Sequence, residues 1–221
     1  MIKSKILSLM LVICFILSFS IIRAKTNELP LLGKVIYIDP GHGGKDPGAV
    51  YKDIYESNIN LSISQKIYNE LISKGAIVYL TRDGDYDLSV TNAINRKRSD
   101  LSRRGNIINR SDCNMFISIH LNAETSSTWK GAQMFYSDTN NENEEIAKIF
   151  QETFKKHLST KREYKKKQTL YLSKRVERPG ILIEVGFISN PNERYLLKQN
   201  SYQQKVANII LEATTNYFYD N

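Results

Sequence analysis

Residues 34–44, with the sequence KVIYIDPGHGG, combine a short apolar run with a glycine-rich turn. The β-branched residues predict a strand over Lys34 to Asp39, and Pro40-Gly41 predicts the turn that ends it. From Glu56 to Ser73, isoleucine or leucine recurs every four residues and Gly75 follows, a pattern that predicts an amphipathic helix and its end. A strand, a turn and a helix in this order form the first unit of an α/β fold.

The same alternation continues along the chain. Further strands are predicted over residues 76–81, 115–120, 131–136 and 181–186, with a short one around 170–172. Further helices are predicted over 101–110, 141–158 and 201–217, and the polar residues 83–100 indicate a surface excursion. We therefore expect a single layered α/β domain over residues 34–221, with a mostly parallel, mixed sheet flanked by helices. Residues 25–33 are predicted to be a linker into this domain.

The N-terminus has the pattern of an export segment. Lys3 and Lys5 precede a mostly apolar stretch from Ile6 to Ile22, which predicts a signal peptide or a membrane anchor over residues 1–24. The stretch is close to the lower limit of ~17–25 residues for crossing a bilayer. We expect an exported protein that is either secreted or held at the membrane through this segment alone.

The net charge restricts the class of partner. The chain has 31 basic and 23 acidic residues, a net charge of +8, and three of the basic residues lie in residues 1–24. Without that segment the charge is +5, which suits an anionic partner such as a cell-wall polymer. Nucleic acid is not an expected partner of an exported protein. The remaining cysteine, Cys113, cannot form an internal disulfide alone and is expected to be a buried structural thiol.

Histidine is scarce, with His42, His120 and His157 as the whole supply. His42 follows the first predicted strand and His120 closes the strand over 115–120. Because the carboxyl ends of parallel strands line the ligand crevice, two of the three imidazoles are expected at one edge of the sheet. Each alone would fit a hydrogen-bonded turn histidine, but together they favour a functional site.

Two glutamates complete a candidate metal site. Glu184 interrupts an apolar strand, where a carboxylate is costly unless a metal or a buried arginine, Arg104 or Arg178, compensates it. Glu56 begins the helix after the His42 loop, although a lone glutamate there is also favoured by the helix dipole. Two imidazoles and one carboxylate form a catalytic zinc set with a position left for water, and a further carboxylate can act as the base.

Four segments, in this order, resemble the signature blocks of the zinc-dependent N-acetylmuramoyl-L-alanine amidases, the amidase 3 family. They are IYIDPGHGGKDPGAV (36–50), YESNINLSISQKI (55–67), LSRRGNIINRSDCNMFISIHLNA (101–123) and RPGILIEVGFISNPNE (178–193). The resemblance implies Zn²⁺ bound by His42, Glu56 and His120, with Glu184 as the catalytic glutamate. It also implies hydrolysis of the amide between N-acetylmuramic acid and L-alanine in peptidoglycan.

Other positions matched by the resemblance concern the substrate-binding surface around the site, and not the reacting groups. Arg104 and Asn109 match polar family positions, for which a structural or a substrate-positioning role is open. Leu121 stands where the family usually has a small residue, and Ser57 where lysine is common. His157 has no counterpart in the blocks and is expected to have no catalytic role. The basic run over residues 161–167 is interpreted as a solvated loop face.

An export segment followed by one catalytic domain resembles the compact sporulation and germination amidases of this family. That implies processing of spore-cortex peptidoglycan toward muramic-δ-lactam, with the forespore intermembrane space as one location. We also expect an exported partner protein for targeting. Two alternatives remain open: another exported zinc peptidase or carboxypeptidase of the wall, and a non-catalytic peptidoglycan-binding homologue.

Overall fold

The computed structural model describes residues 10–15, which are helical, and residues 29–220. The strands in the second range are β1 (Val35–Pro40), β2 (Val50–Tyr51), β3 (Ile54–Tyr55), β4 (Ile77–Leu80), β5 (Met115–Asn122), β6 (Gln133–Tyr136), β7 (Lys165–Lys166) and β8 (Gly180–Phe187). The helices are α1 (Glu56–Ser73), α2 (Arg96–Arg110), α3 (Asn143–His157), α4 (Pro191–Leu197) and α5 (Asn200–Asp220).

Six of the strands form one sheet in the order β4-β1-β5-β8-β6-β7, and β2 and β3 form a separate hairpin. β4, β1, β5 and β8 are mutually parallel, and β6 runs antiparallel to β8. The central strands β5 and β8 are almost wholly buried, as expected for parallel strands covered on both faces. The predicted mixed, mostly parallel α/β sheet is therefore confirmed.

The main core lies between the sheet and helices α1, α3 and α5. The predicted stripe of α1 is buried, at Ile59, Ile63, Ile67 and Leu71. Full burial of such a side chain contributes about 1.5–3 kcal/mol, so this stripe accounts for much of the attachment of α1 to the sheet. A smaller cluster on the opposite face joins α2 to the segment before β8 and contains Cys113.

Several predicted boundaries differ from the structure. The strand predicted around residues 170–172 is wrong, because residues 171–175 form turns. α2 begins five residues earlier than predicted, since the Asn95 side chain accepts a hydrogen bond from Arg98 N (2.9 Å) and caps the helix. Helix α4 and the two-residue strand β7 were not predicted. Asn190 caps α4, with Pro191 at its first position.

Most of the predicted export segment, residues 1–24, lies outside the described residues, as do residues 25–28 of the predicted linker. At the end of that linker, Leu31 is buried in the core and its N–H donates to Lys74 O (3.0 Å). Within residues 10–15 and 29–220, none of the helices has the length and hydropathy needed to span a membrane.

Candidate active site

The sheet brings the predicted site residues to one edge. β1, β5 and β8 are adjacent and parallel, so the His42 loop, His120 and Glu184 meet at their carboxyl ends. His120 and Glu184 are direct register partners, and Gly41 N donates to Ile119 O (2.9 Å), which fixes the His42 loop against β5. Three distant stretches of sequence thereby form one site.

Glu56, the first residue of α1, lies between the two imidazoles. Its Oε1 is 3.3 Å from His42 Nε2 and 3.1 Å from His120 Nδ1. One ligand atom from each of the three side chains lies within 4.8 Å of the others. The structure therefore brings all three predicted metal ligands together.

The Glu56 carboxylate is held by three further donors. Ala49 N donates to its Oε2 (2.8 Å), while Leu121 N (2.9 Å) and Asn60 Nδ2 (3.2 Å) donate to its Oε1. Burial opposes ionisation of Glu56, but the hydrogen bonds and charges of the two histidines outweigh it and hold its pKa far below the usual range. Glu56 is therefore ionised whenever the protein is folded near neutral pH.

Asp46 orients His42. Its Oδ2 lies 2.9 Å from His42 Nδ1, on the side of the ring opposite Glu56, and its Oδ1 accepts from Gly48 N (3.2 Å). Burial lowers the pKa of His42, but the hydrogen bonds of Asp46 and Glu56 outweigh it and raise the pKa to about 9. The hydrogen bond to His42 in turn lowers the pKa of Asp46 to about 2. A carboxylate behind an imidazole is the usual arrangement around metal-binding histidines.

Two glycines leave the space that these side chains occupy. A Cβ at Gly41 would lie 2.4 Å from the His120 ring, and one at Gly48 would lie 2.6 Å from Glu56 Oε2. Gly48 also has a φ of 69°, which disfavours other residues. His42 itself has a φ of 62°, an uncommon conformation that aims its ring at Glu56.

Arg104 holds the His42 loop in place through hydrogen bonds to its backbone and to neighbouring aspartates. Its Nε donates to both Asp100 oxygens (3.0 and 2.9 Å), and its Nη1 to Asp39 Oδ1 (2.9 Å). Its Nη2 donates to His42 O (2.7 Å). The guanidinium is buried and uses all three nitrogens within the protein, so of the two roles left open for Arg104 the contacts favour the structural one.

Arg82, which sequence reasoning missed, supports the same loop. Its Nη2 donates to Gly41 O (2.9 Å) and Ser57 O (2.8 Å), and the residue is buried. Asn109 is further away. Its amide donates to Arg175 O (2.8 Å) and its oxygen accepts from Glu177 N (2.9 Å), so it shapes the segment before β8.

Glu184 has neither of the arginine partners considered from the sequence. Arg104 binds Asp39 and Asp100, and Arg178 binds Asp112 (3.2 Å). The Oε2 atom of Glu184 is buried and has no hydrogen-bond partner among the described residues. Burial raises the pKa of Glu184 to about 7, opposed by the positive charge of His120. An unpartnered carboxyl with this pKa suits proton transfer near neutral pH.

A cavity of about 360 Å³ opens above these groups. His42, His120 and Glu184 form one part of its lining. Further walls come from the start of α2, with Lys97 and Leu101, from the segment before β8, with Leu170, Tyr171 and Leu172, and from Leu182 of β8 itself. Its volume is within the range of small-molecule and peptide pockets.

The donor set fits zinc. Two imidazoles and a carboxylate, close together and held by Asp46 and by backbone N–H groups, are the ligands of many catalytic zinc sites. The buried Oε2 of Glu184 beside them has no hydrogen-bond partner among the described residues, so this oxygen is available to accept a proton.

His157 and Cys113 lie outside this cavity. His157, at the end of α3, has its Nε2 2.8 Å from Oε2 of Glu212 in α5. Cys113 is buried, and burial raises the pKa of its thiol, which makes it a poor nucleophile. Neither residue lines the cavity that contains His42, His120 and Glu184.

The fold and the site define a class of hydrolase, and the similarity of this chain to known proteins identifies that class. Residues 36–216 match the N-acetylmuramoyl-L-alanine amidase family, Amidase_3. The chain belongs to this family and is an N-acetylmuramoyl-L-alanine amidase. The resemblance inferred from the four sequence blocks is thereby confirmed.

Individual relatives refine the similarity. The germination-specific N-acetylmuramoyl-L-alanine amidase of Bacillus subtilis is 43% identical over 198 residues, covering 88% of this chain and 84% of the relative. The B. subtilis amidase LytC is 31% identical, and the match covers 87% of this chain but 37% of LytC. The CwlD amidase of Clostridioides difficile, solved in complex with the GerS lipoprotein, superposes with a TM-score of 0.82 at 38% identity, covering 86% of this chain and all of that one.

Proposed function

We propose that the protein is a zinc-dependent amidase that cleaves the bond between N-acetylmuramic acid and L-alanine in spore-cortex peptidoglycan. His42, Glu56 and His120 would hold the ion and Glu184 would act as the general base. One arrangement carries the zinc-dependent reaction in this proposal: three donors lie within 4.8 Å of one another, and an unpartnered carboxyl occupies the neighbouring strand position.

The reaction adds water across an amide. His42, Glu56 and His120 would hold a zinc ion, which would supply Lewis acidity toward the scissile carbonyl and the attacking water. Glu184 accepts a proton from the water while the water oxygen bonds to the lactyl carbonyl carbon. Glu184 then gives that proton to the amide nitrogen as the carbon–nitrogen bond breaks. The products are a free lactyl carboxyl group and a peptide that begins with L-alanine.

The surrounding residues preorganise the reacting groups. Asp46 fixes the His42 ring, and the backbone donors of Ala49 and Leu121 fix Glu56, so little reorientation is needed when the substrate binds. The lack of a hydrogen-bond partner at Glu184 Oε2 leaves that oxygen available for a proton.

The cortex assignment is supported by similarity. The B. subtilis relative at 43% identity is germination-specific, and it matches this chain over most of both lengths. The product expected in the cortex is N-acetylmuramic acid freed of its stem peptide. It becomes muramic-δ-lactam only after a separate deacetylation frees the sugar nitrogen, which then joins the lactyl carboxyl with loss of water. A deletion strain whose cortex retains normal muramic-δ-lactam would refute this role.

An exported location and a partner protein are further parts of the proposal. The apolar stretch from Ile6 to Ile22 would direct or anchor the chain outside the cytoplasm, for example in the forespore intermembrane space. The C. difficile CwlD structure contains a lipoprotein partner, so an exported protein of that kind could position this enzyme too. Full activity of the chain on spore peptidoglycan without any added protein would argue against an activating partner.

The direct test is digestion of purified peptidoglycan with and without a chelator, followed by mass analysis of the fragments. We expect intact stem peptides with L-alanine at the new N-terminus, and loss of the reaction after chelation that zinc restores. Release of a C-terminal amino acid would indicate a carboxypeptidase instead. Binding without any cleavage would indicate a non-catalytic homologue.

A further inference from the structure

Lys97, in the first turn of α2, lines the same cavity as the proposed reacting groups. Two basic side chains contribute to that lining besides the histidines, Lys97 and Arg104. Every guanidinium nitrogen of Arg104 already donates to Asp39, Asp100 or a backbone carbonyl. Lys97 is therefore the lining cation that has donors to spare.

The Lys97 ammonium is open to a ligand. Its nearest acidic atom among the described residues is Asp46 Oδ2, at 4.0 Å, which is beyond hydrogen-bond distance. Asp46 already faces His42 Nδ1 at 2.9 Å through that oxygen. The Lys97 side chain is 68% exposed and can turn toward the cavity at little cost.

The substrate carries an anion at a matching position. In peptidoglycan, L-alanine is followed by D-glutamate, which continues the chain through its γ-carboxyl and leaves its α-carboxylate free. At about 3.5 Å per residue, this carboxylate lies about 7 Å from the scissile nitrogen. Lys97 and Glu184 line the same cavity, so a peptide whose scissile bond lies beside Glu184 and which extends toward the start of α2 would bring this carboxylate to the Lys97 side.

Resting on the proposed function, we infer that Lys97 binds the α-carboxylate of the second stem-peptide residue and sets a preference for free over amidated D-glutamate. An ammonium group forms a charge-assisted hydrogen bond with a carboxylate, but only a weaker hydrogen bond with the carbonyl oxygen of the corresponding amide. Lys97 is a specificity residue in this scheme and does not act on the scissile bond.

The test compares two substrates that differ in one group: N-acetylmuramoyl-L-alanyl-γ-D-glutamyl-L-lysine, and the same peptide with the α-carboxylate amidated. We expect the full-length, zinc-loaded protein to favour the carboxylate form by about 5- to 20-fold in kcat/KM, mainly through KM. Lys97→Gln should lose the preference: it should hydrolyse both peptides at the rate at which the wild-type protein hydrolyses the amidated peptide. Lys97→Glu should favour the amidated peptide, because its negative charge repels the free carboxylate.

Lys45→Gln is the matched control, because Lys45 lines the hollow next to Lys97 but not the cavity. It should keep the wild-type preference. The inference is overturned if the wild-type protein does not discriminate, if Lys97→Gln keeps the preference, or if Lys97→Gln slows both peptides equally. Failure of the proposed function has a different signature, since no L-alanyl peptide would then be released from either substrate.

Discussion

Glu56 and Glu184 lie at the same edge of the sheet, yet their surroundings are opposite. Glu56 faces two imidazoles and accepts three further hydrogen bonds, and its pKa is lowered. Glu184 pairs in register with His120, but its Oε2 has no partner and burial raises its pKa. Carboxyl groups whose pKa values are driven apart in this way take different roles, one as a permanent anion and the other as a proton carrier.

The largest expected effect comes from removing the proton carrier. Glu184→Gln keeps the size of the side chain but cannot accept the proton, so kcat should fall about 100- to 10,000-fold. Zinc content, measured by atomic absorption, should stay at the wild-type level because Glu184 is not among the proposed ligands. Glu124→Gln, an exposed glutamate outside the cavity, should keep full activity. Turnover by Glu184→Gln at the wild-type rate would exclude the role assigned to Glu184.

Removing one of the three proposed metal ligands should affect zinc content as well as activity. His120→Ala removes one of the three proposed ligands, so the purified variant should lose both zinc and activity. His157→Ala is the matched control, because His157 pairs with Glu212 away from the cavity, and it should retain both. Wild-type zinc content in His120→Ala would contradict the ligand assignment.

The residues of the site differ in how well the sequence predicts them. The strand-ending positions of His42 and His120 placed them at one edge, and the interrupted apolar strand singled out Glu184, because these signals are local. Arg82 was missed because its partners, Gly41 O and Ser57 O, come from distant parts of the chain. Asp46 was missed although it lies only four residues from His42, because no sequence pattern distinguishes it from other carboxylates in turns.

Boundaries show the same division between local and tertiary causes. The four-residue apolar repeat predicted α1 at Glu56–Ser73, as observed. The strand expected around residues 170–172 failed, because Leu172 packs against Ile108 and Phe116 from within a turn. An apolar triplet alone does not distinguish a strand from a buried turn.

A third experiment removes the buried arginine whose hydrogen bonds hold the His42 loop. Arg104→Ala leaves Asp39 and Asp100 buried without their partner and should cost about 3–5 kcal/mol of unfolding free energy. Chemical denaturation of the metal-free chain measures this cost. Arg103→Ala, at the exposed neighbouring position, should change stability by less than about 0.5 kcal/mol. A similar, small change in both variants would show that the buried network contributes little.

The smallest effect tests the comparison through stability rather than catalysis. The pKa of Glu184 is about 7 in the folded protein, above the ordinary carboxyl value of 4.5. As pH rises between these values, the unfolded chain loses its proton first, so the folded state becomes less stable, and the loss is complete above pH 7. In the metal-free chain, Glu184→Gln should therefore raise the unfolding free energy at pH 8 by roughly 1–3 kcal/mol and leave it nearly unchanged at pH 4. Glu56→Gln should lower it at pH 8, because Glu56 is stabilised as an anion. Denaturant titrations of both variants at the two pH values measure these differences, and changes of the same sign at pH 8 would mean that the two carboxyls do not differ as described.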